Sequence, residues 1–549
     1  MKSFSRAAIA LLAAATLTAG SPGSAVPARP DDKTLLHVLN RIGYGARPGD
    51  VDRVRQLGLE AYIDQQLHPE RIADAGMTAR LAGFETLNKS ARQLAEEYYV
   101  PALQARQQVK RNAVNDPAIK TPDAATDDKP FRTPEQMELL RKSREVLVEL
   151  SEQKILRAAY SDRQLEEVMT DFWFNHFNVF AGKGPTQQYL TEYERDVIRP
   201  HVFGKFRDLL EATAKSPAML FYLDNWQSAD PDAQNARPQG QMGRGGFFAR
   251  PGQSPRPGAR FPMPAGPGAL QNPNAQQRQK RGLNENYGRE LMELHTLGVD
   301  GGYTQQDVIS VARAFTGWTI LGPRQGGGFQ FVNQIHDPKE KIVLGQKIKA
   351  GGGQSDGERV LDILASHPST ATFISTKLAR RFVADTPPPA LVERAAARFR
   401  ETGGDIREVV RTILTSPELF AAEAYRAKVK SPFEFVISAI RATGTDVSNA
   451  MPLTQAVRAL GMPLYMCQPP TGYPDKAEAW VNTGALLNRM NFALQLVGGR
   501  MRGLQAGTNN VGALLAGDVS SATAATIAKA TDPRQTAALT LGSPEFQRR

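Results

Sequence analysis

The sequence predicts an all-α protein: one large, irregular helical domain from about residue 29 to 549, with one small β-hairpin patch and a disordered insertion. Three observations lead to this prediction. Apolar residues recur at helical spacing along nearly the whole chain. Strand-like alternation of apolar and polar residues occurs only at 327–348. A Pro-, Gly-, Gln- and Arg-rich stretch, 227–282, has too few apolar residues to offset the entropy of ordering.

The chain begins with the layout of a secretory signal peptide over residues 1–25. Lys2 and Arg6 precede an uncharged apolar run, and small residues ending at Ala25 follow at the spacing of a cleavage site. The run is shorter than the roughly 20 residues that a membrane span requires. An ordinary N-terminal helix is the alternative. We expect cleavage, a periplasmic or extracellular location, and no transmembrane segment.

The positive charge is concentrated in the predicted insertion. The formal net charge is +11, and residues 227–282 hold eight basic against two acidic residues. Such a segment is expected to make weak, salt-sensitive contacts with polyanions, and the folded remainder does not predict specific nucleic-acid binding. The single cysteine, Cys467, excludes zinc sites and iron–sulfur clusters that need several thiolates.

Helices are predicted in order along the domain. Pro48 fits the first turn of a helix that Gly58 ends, and a strongly apolar helix from Asp162 leads into TDFWFNHFNVF, residues 170–180. Ser216 is a good N-cap with Pro217 behind it. Further helices are predicted at 189–198, 203–214, 284–297, 304–318, 357–366, 368–384, 389–402, 406–415 and 432–443.

Several long segments resemble one family. These are HVLNRIGYGARPGDVDRVRQLGLEAYIDQQL, FWFNHF, SPAMLFYLDN, NENYGRELMELHTLGVDGGYTQQDVISVARAFTGW, HDPKEKIVLG, KSPFEFV and QPPTGYP. In this order they resemble the bacterial domain-of-unknown-function family 1800, over nearly the whole chain except the insertion. The resemblance implies an exported bacterial protein, often encoded beside an exported sulfatase/phosphatase-like protein that is a candidate partner. It implies no reaction.

The helix predicted at 284–297 carries the densest group of candidate residues. Glu290 and Glu293, three apart, converge on one flank of an apolar stripe and could share a divalent cation or act as an acid–base pair. The alternative is an ion-pair network, because Arg289 lies four residues from both Glu285 and Glu293. Arg289 is also a candidate binding residue.

A second candidate helix contains FWFNHF. His176 lies on an apolar face, so it is either a catalytic or ligating residue or a hydrogen-bonded core histidine. Asp171 shares a polar row with Glu167 and Asn175. If this row faces Glu290 and Glu293, a carboxylate metal site between helices becomes possible.

Three further residues are candidates for substrate binding. On a regular helix His295 lies about 160° from Glu293, so the two cannot ligate one ion. His336 and Asp337 are either a base with its orienting carboxylate or a turn before Pro338.

Two function classes stay open. The first is an envelope or extracellular hydrolase that acts on a polymeric or glycosidic substrate, with Glu290, Glu293 and His176 as catalytic residues. A divalent metal held by Glu290, Glu293 and Asp171 is an optional cofactor. The second is a non-catalytic partner or scaffold for the exported sulfatase/phosphatase-like protein. Metalloprotease, nucleophile-elbow and Walker motifs are all missing from the sequence.

Overall fold

The computed structural model describes residues 24–115, 133–235, 282–507, 511–515 and 517–549. Most of the predicted signal peptide (residues 1–23) and most of the predicted insertion (236–281) lie outside the described residues. In the described ranges the chain is mainly helical, with a few short antiparallel strand pairs. The all-α prediction is therefore confirmed. No helix in these ranges is long and apolar enough to cross a membrane.

The N-terminal half of the protein contributes twelve α-helices within the described ranges. They are α1 Asp32–Ile42, α2 Asp50–Leu57, α3 Leu59–Leu67, α4 Ala75–Leu81, α5 Ala91–Leu94, α6 Val100–Asn115, α7 Pro134–Tyr160, α8 Gln164–His176, α9 Gln187–Glu192, α10 Phe206–Lys215, α11 Pro217–Tyr222 and α12 Pro231–Asn235.

The C-terminal half contributes the other helices. They are α13 Glu285–Met292, α14 Gln305–Ala314, α15 Ser355–Ser366, α16 Pro368–Phe382, α17 Pro389–Glu401, α18 Ile406–Leu414, α19 Pro417–Phe420, α20 Pro432–Thr443, α21 Met451–Ala459, α22 Thr483–Val497, α23 Ser521–Ile527 and α24 Pro533–Gly542. The helix predicted at 284–297 is α13 followed by a π-turn, Glu293–Leu297.

Local capping explains where several helices begin. The predicted N-cap Ser216 accepts a hydrogen bond from the backbone N–H of Ala218 at 3.3 Å. At α14, Thr304 Oγ1 accepts from Asp307 N at 3.2 Å, and Asp307 Oδ2 accepts from Thr304 N at 2.9 Å. Each bond satisfies a backbone donor that the helix itself cannot pair.

The strands form three separate antiparallel pairs in the described ranges. They are β1 Trp318–Ile320 with β2 Phe329–Phe331, β3 Lys341–Val343 with β4 Gln346–Ile348, and β5 Asp446–Val447 with β6 Leu504–Gln505. The predicted patch at 327–348 supplies β2, β3 and β4, but β2 pairs with β1, which precedes the patch. β5 and β6 were not predicted, because two residues are too few to show alternation.

The beginning of the predicted insertion belongs to the folded domain. Ser228, Ala229 and Asp230 are buried, and α12 follows them. The backbone N–H of Asp230 donates to the Ile335 carbonyl at 2.8 Å, and Ser228 Oγ accepts from Asn284 N at 3.2 Å. Composition alone could not reveal these contacts, since their partners lie far along the chain.

Helix α20 lies at the centre of the core. All of its residues are buried, which fits a helix covered on every side. Gly45, which follows α1, packs directly on it: its φ is +96°, and a Cβ there would lie 2.8 Å from Ser438 Oγ. One buried hydrophobic cluster runs from Leu35 to Phe546 and includes residues from both halves of the chain.

Candidate functional site

A cleft of about 250 Å³ lies between the C-terminal part of α8, helix α16 and the segment 462–480. Two predicted site residues, Asp171 and His176, line it, whereas Glu290 and Glu293 do not. Its charged and imidazole side chains are Asp171, His176, Lys377, Arg380, Arg381, Asp475 and Lys476. An open cavity with converging polar groups is the expected form of a ligand site.

Lys377 and His176 form the most unusual contact in the cleft. Lys377 Nζ lies 2.8 Å from His176 Nδ1, and His176 Nε2 lies 3.1 Å from the carbonyl oxygen of His295. A carbonyl can only accept, so Nε2 carries the imidazole proton. His176 Nδ1 therefore accepts a hydrogen bond from the Lys377 amine.

Burial changes the protonation of both groups. Burial, aided by Arg380 and opposed by Asp475, lowers the pKa of Lys377 to about 8. Burial and the charge of Lys377 hold the pKa of His176 well below its usual range. No carboxylate in the described part of the chain lies within 4.0 Å of Lys377. The pair is thus a neutral imidazole beside an amine that loses its proton near physiological pH.

Each of the two acids of the cleft pairs with a lysine. Asp171 Oδ1 lies 2.7 Å from Lys154 Nζ, and Asp475 Oδ1 lies 2.9 Å from Lys428 Nζ. Lys428 Nζ also lies 2.6 Å from Asp385 Oδ1, so this lysine is shared between two acids. The charge of Asp171 is therefore neutralised, and that of Asp475 is neutralised in part.

Arg380 is a second cation of the cleft without an acidic partner. Its Nε donates to the Asp385 carbonyl at 3.0 Å, and within the described ranges no carboxylate is within 4.0 Å of its guanidinium. The adjacent Arg381, by contrast, pairs with the buried Glu434. Lys377 and Arg380 together give the cleft a positive character.

The segment 462–480 is fixed to α8 by its backbone. Asn175 Nδ2 donates to the Tyr473 carbonyl at 2.8 Å, and Asn175 Oδ1 accepts from Tyr473 N at 2.7 Å. Gly472 has φ +72°, and a Cβ there would lie 2.2 Å from the Asn175 carbonyl oxygen. Only glycine permits this approach, which builds the cleft wall.

Aromatic rings supply the apolar part of the cleft. The Phe172 ring lies parallel to the His176 imidazole, with centroids 6.4 Å apart. Tyr473 and Trp480 contact each other at 6.1 Å, and Trp480 Nε1 donates to the Pro474 carbonyl at 3.0 Å. These rings offer flat apolar surfaces beside the polar groups.

His295 packs against His176. It does not line the cleft, and its imidazole centroid lies 6.3 Å from that of His176. Burial lowers its pKa to about 3, and its Nε2 has no hydrogen-bond partner in the described part of the chain. The π-turn that begins at Glu293 breaks the regular spacing from which its position was predicted.

Glu290 and Glu293 lie outside the cleft and are half-buried. Burial and the charge of Glu293 raise the pKa of Glu290, whereas Arg289 lowers it. Glu293 Oε2 accepts a hydrogen bond from the Tyr303 hydroxyl at 3.1 Å. The two carboxylates are therefore close enough to influence each other, as predicted from their spacing.

The alternative prediction, an ion-pair network around Arg289, is wrong. Arg289 Nη2 donates to Gln305 Oε1 at 2.6 Å, and Gln305 Nε2 donates to Glu285 Oε2 at 2.8 Å. In the described ranges Arg289 forms no ion pair with Glu285 or Glu293. Gln305, on the adjacent helix α14, lies between the charges and replaces a direct ion pair.

The predicted metal ligands do not come together. In the described part of the chain, no three His, Cys, Asp or Glu side chains lie close enough to hold a metal ion. Asp171, which was expected to join Glu290 and Glu293, pairs with Lys154 instead. The residues present therefore do not fit a three-ligand divalent site.

His336 and Asp337 do not form the predicted dyad. Asp337 Oδ2 pairs with Arg313 Nε at 2.6 Å, and its Oδ1 accepts from Lys339 N at 2.8 Å, which closes the turn. His336 Nε2 instead lies 3.2 Å from Asp356 Oδ2. The adjacent residues point to different partners, so the alternative of a turn is the correct one.

Sequence reasoning missed Lys377, Arg380 and the wall at 462–480. Lys377 looks like any lysine on an amphipathic helix. The one available signal was QPPTGYP, which was used for the resemblance and not as a site.

A family model described as "Protein of unknown function (DUF1800)" matches residues 37–548. Neither a curated protein nor a solved structure matches the chain. Because the match covers nearly the whole sequence, the resemblance predicted from its segments is confirmed. The chain belongs to the DUF1800 family.

Proposed function

We propose that this protein is an exported enzyme that performs acid–base chemistry on an anionic polymeric or glycosidic substrate, with Lys377 as the base. The contact that supports this function is the 2.8 Å approach of Lys377 Nζ to His176 Nδ1 in an open cleft. A lysine with a pKa of about 8 is partly neutral at physiological pH, and a neutral amine can accept a substrate proton.

His176 positions the base and does not itself react. Its Nε2–H is held by the His295 carbonyl, which leaves the Nδ1 lone pair for the Lys377 amine. The amine lone pair is then free to face the cleft. His176 was predicted as catalytic, and in this proposal it is a positioning residue.

An anionic substrate follows from the charge of the cleft. Lys377 and Arg380 have no carboxylate partner in the described ranges, while Asp171 and Asp475 each pair with a lysine. A carboxylate or sulfate group on the substrate would pair with Arg380 and place a neighbouring carbon–hydrogen or hydroxyl group near Lys377. The aromatic rings of Phe172 and Trp480 provide surface for a sugar ring.

Export belongs to the same proposal. It rests on the charged start, the apolar run and the small residues before Ala25. Mass spectrometry of the mature protein should find an N-terminus between Gly20 and Ala28. Intact Met1 in a cytoplasmic fraction would contradict export.

Competitive acetylation tests the state of Lys377 without knowledge of the substrate. Folded protein is labelled with acetic anhydride from pH 6.5 to 10.5, and each lysine is quantified by mass spectrometry. The labelling rate of Lys377 should reach half its maximum near pH 8. Lys529, an exposed lysine, is the comparison in the same digest. A Lys377 profile identical to that of Lys529 would contradict the proposal.

Activity is tested on anionic glycans. Polyuronates and sulfated glycans are incubated with wild-type protein, and new chain ends are measured by mass spectrometry. Lys377→Met should abolish turnover, and Lys529→Met should retain it. Equal product from wild type and Lys377→Met would remove Lys377 from the reaction.

A scaffold function is the second candidate, favoured by one surface. Val481, Leu486, Leu487 and Leu494, on or next to α22, are all exposed large apolar side chains. Apolar side chains clustered on one element are typical of a protein contact. The candidate partner is the exported sulfatase/phosphatase-like protein that the resemblance implies, and the basic insertion would add weak polyanion contacts.

A further inference from the structure

A second cavity, which shares no lining residue with the cleft, lies between α1, residues 425–430 and residues 545–549. Its volume is about 30 Å³. A water molecule needs roughly 10–15 Å³ on this measure, so the space suits one or two waters or a single monatomic ion. An organic ligand is too large for it.

Lys430 is a buried cation that faces this cavity without an acid. Its residue is 4% exposed, and no described carboxylate or other hydrogen-bond acceptor is in contact with its Nζ. The Nζ lies 3.9 Å from the centroid of the Phe546 ring. Burial, with the charges of Arg549, Arg489 and Arg426, lowers the pKa of Lys430 to about 7, and Glu434 opposes this.

The only acid among the described lining residues is occupied elsewhere. Glu545 Oε1 accepts from the backbone N–H of Ser520 at 2.9 Å, and its Oε2 accepts from Thr523 Oγ1 at 3.0 Å. Arg426 and Arg549 also line the cavity, but they pair with acids outside it, Asp518 at 3.7 Å and Glu434 at 2.9 Å. Lys430 and Arg548 are the lining cations that have no acidic partner in the described part of the chain.

A completely buried arginine lies near this lining but does not belong to it. Arg41 is 0% exposed, its Nη2 donates to the Ala424 carbonyl, and its Nε and Nη1 have no partner in the described part of the chain. It is close enough to Arg549 for the two charges to repel. An uncompensated buried charge is costly, and the charges of Glu434 and Asp475 offset part of this cost.

The cavity also brings together two segments of the family resemblance. His37 and Gly45, from the N-terminal segment of the resemblance, line it together with Lys430 of KSPFEFV. The His37 Nε2 donates to the Leu419 carbonyl at 2.8 Å, and its Nδ1 has no hydrogen-bond partner in the described part of the chain.

We propose that this cavity binds one small inorganic anion of halide size, with Lys430 as its principal ligand. The volume limits the ligand to a single ion, and the unpaired Lys430 ammonium supplies the charge. Because the cavity connects α1 with residues 545–549, the anion stabilises the contact between the two ends of the domain. This inference is independent of the chemistry proposed for Lys377.

Thermal unfolding of the mature protein tests the site. Sodium methanesulfonate, whose anion is too large for the cavity, is exchanged for sodium bromide at constant ionic strength. The wild-type Tm should rise and then saturate with bromide, as binding to the native state requires. Lys430→Met should lose the saturating rise, and Lys529→Met should keep it. An equal bromide response in wild type and Lys430→Met would overturn the proposal.

Diffraction provides a test that does not depend on the variant folding. Crystals of wild-type protein grown in sodium bromide are measured at the bromine absorption edge. An anomalous peak in contact with Lys430 Nζ is the expected result. A data set without such a peak would overturn the anion site.

Discussion

Two histidine–lysine arrangements in this protein differ in whether a carboxylate lies next to the lysine. In the first, Lys377 and His176 contact each other, and no described carboxylate lies within 4.0 Å of the lysine. In the second, Asp356 Oδ2 lies 3.2 Å from His336 Nε2 and 2.7 Å from Lys341 Nζ. The same residue types therefore share an acid in one network, and in the other they form the contact that we propose to be reactive.

The two lysines also differ in the number of hydrogen-bond acceptors around the ammonium group. Besides Asp356, Lys341 Nζ donates to the carbonyls of Asp337 at 2.6 Å and of Lys339 at 2.8 Å, so its ammonium has three acceptors. In the described part of the chain Lys377 has one acceptor, and it lines an open cleft. Lys377 is therefore accessible from the cleft, whereas Lys341 is enclosed by protein.

The largest effect is expected from removing the shared acid. Asp356→Asn leaves Lys341 buried without its close carboxylate, and the free energy of unfolding should fall by about 3 kcal/mol. Urea unfolding measures the change. The matched control is Asp362→Asn on the same helix: Asp362 is half-exposed, so its loss should cost about 0.5 kcal/mol. Equal losses would mean that the His336 network is not stabilised by Asp356.

A smaller effect of opposite sign is expected at Lys377. The pKa of Lys377 is lowered from 10.5 to about 8 in the folded state, so its charged form opposes folding below pH 8. The shift corresponds to about 3 kcal/mol. Because Lys377→Met also loses the hydrogen bond to His176, the free energy of unfolding at pH 7 should rise by only about 1 kcal/mol. This advantage should shrink as pH rises from 8 towards 10.5. A pH-independent difference in urea unfolding would contradict the lowered pKa.

Glu290 is an acid whose charged form is disfavoured, as the charged form of Lys377 is. Burial and Glu293 raise its pKa above 4.5, so the ionised form opposes folding at neutral pH. Glu290→Gln should raise the free energy of unfolding at pH 7 by about 0.5 kcal/mol, a small value because solvent screens a half-buried pair. The gain should vanish as pH falls to 4.5.

Thermal melts of the Glu290→Gln variant with and without a chelator also test the predicted divalent metal. Equal Tm values under both conditions, for wild type and variant, are expected. A chelator-sensitive wild type with an insensitive variant would restore Glu290 as a metal ligand.

The smallest effect on stability is expected at the exposed leucines. Leu487→Glu should change the free energy of unfolding by less than about 0.5 kcal/mol, since the side chain is 61% exposed. Cleavage of anionic glycans should be unchanged. If binding to an exported sulfatase/phosphatase-like protein is observed, the variant should weaken it. Loss of glycan turnover in this variant would contradict the separation of the two surfaces.

The helices were predictable because their signals are local. Ser216 and Thr304 lie within three residues of the backbone groups that they cap, and the sequence shows both partners at once. The π-turn at Glu293–Leu297 has no comparable signal, so a regular helix was predicted over these residues. The alternating pattern at 327–348 predicted the hairpin of β3 and β4. It did not predict β1, the strand that pairs with β2.

The site was predictable only in part, because its contacts are distant in sequence. His176 and Asp171 were found from their motif, but the partner of His176 is 201 residues away. For His336, adjacency suggested Asp337, whereas the acid that contacts it is Asp356, 20 residues on. Charge balance between such residues depends on the fold and cannot be read from spacing.

The hydrogen bond from His176 to residue 295 has a consequence for protein engineering. The acceptor is a main-chain carbonyl near the end of a helical segment, where carbonyls lack helical partners. Any amino acid at position 295 supplies the same oxygen, so substitution there can alter packing without changing which imidazole nitrogen carries the proton. Position 295 is therefore the place to install a spectroscopic reporter next to His176 while the protonation of the pair is preserved.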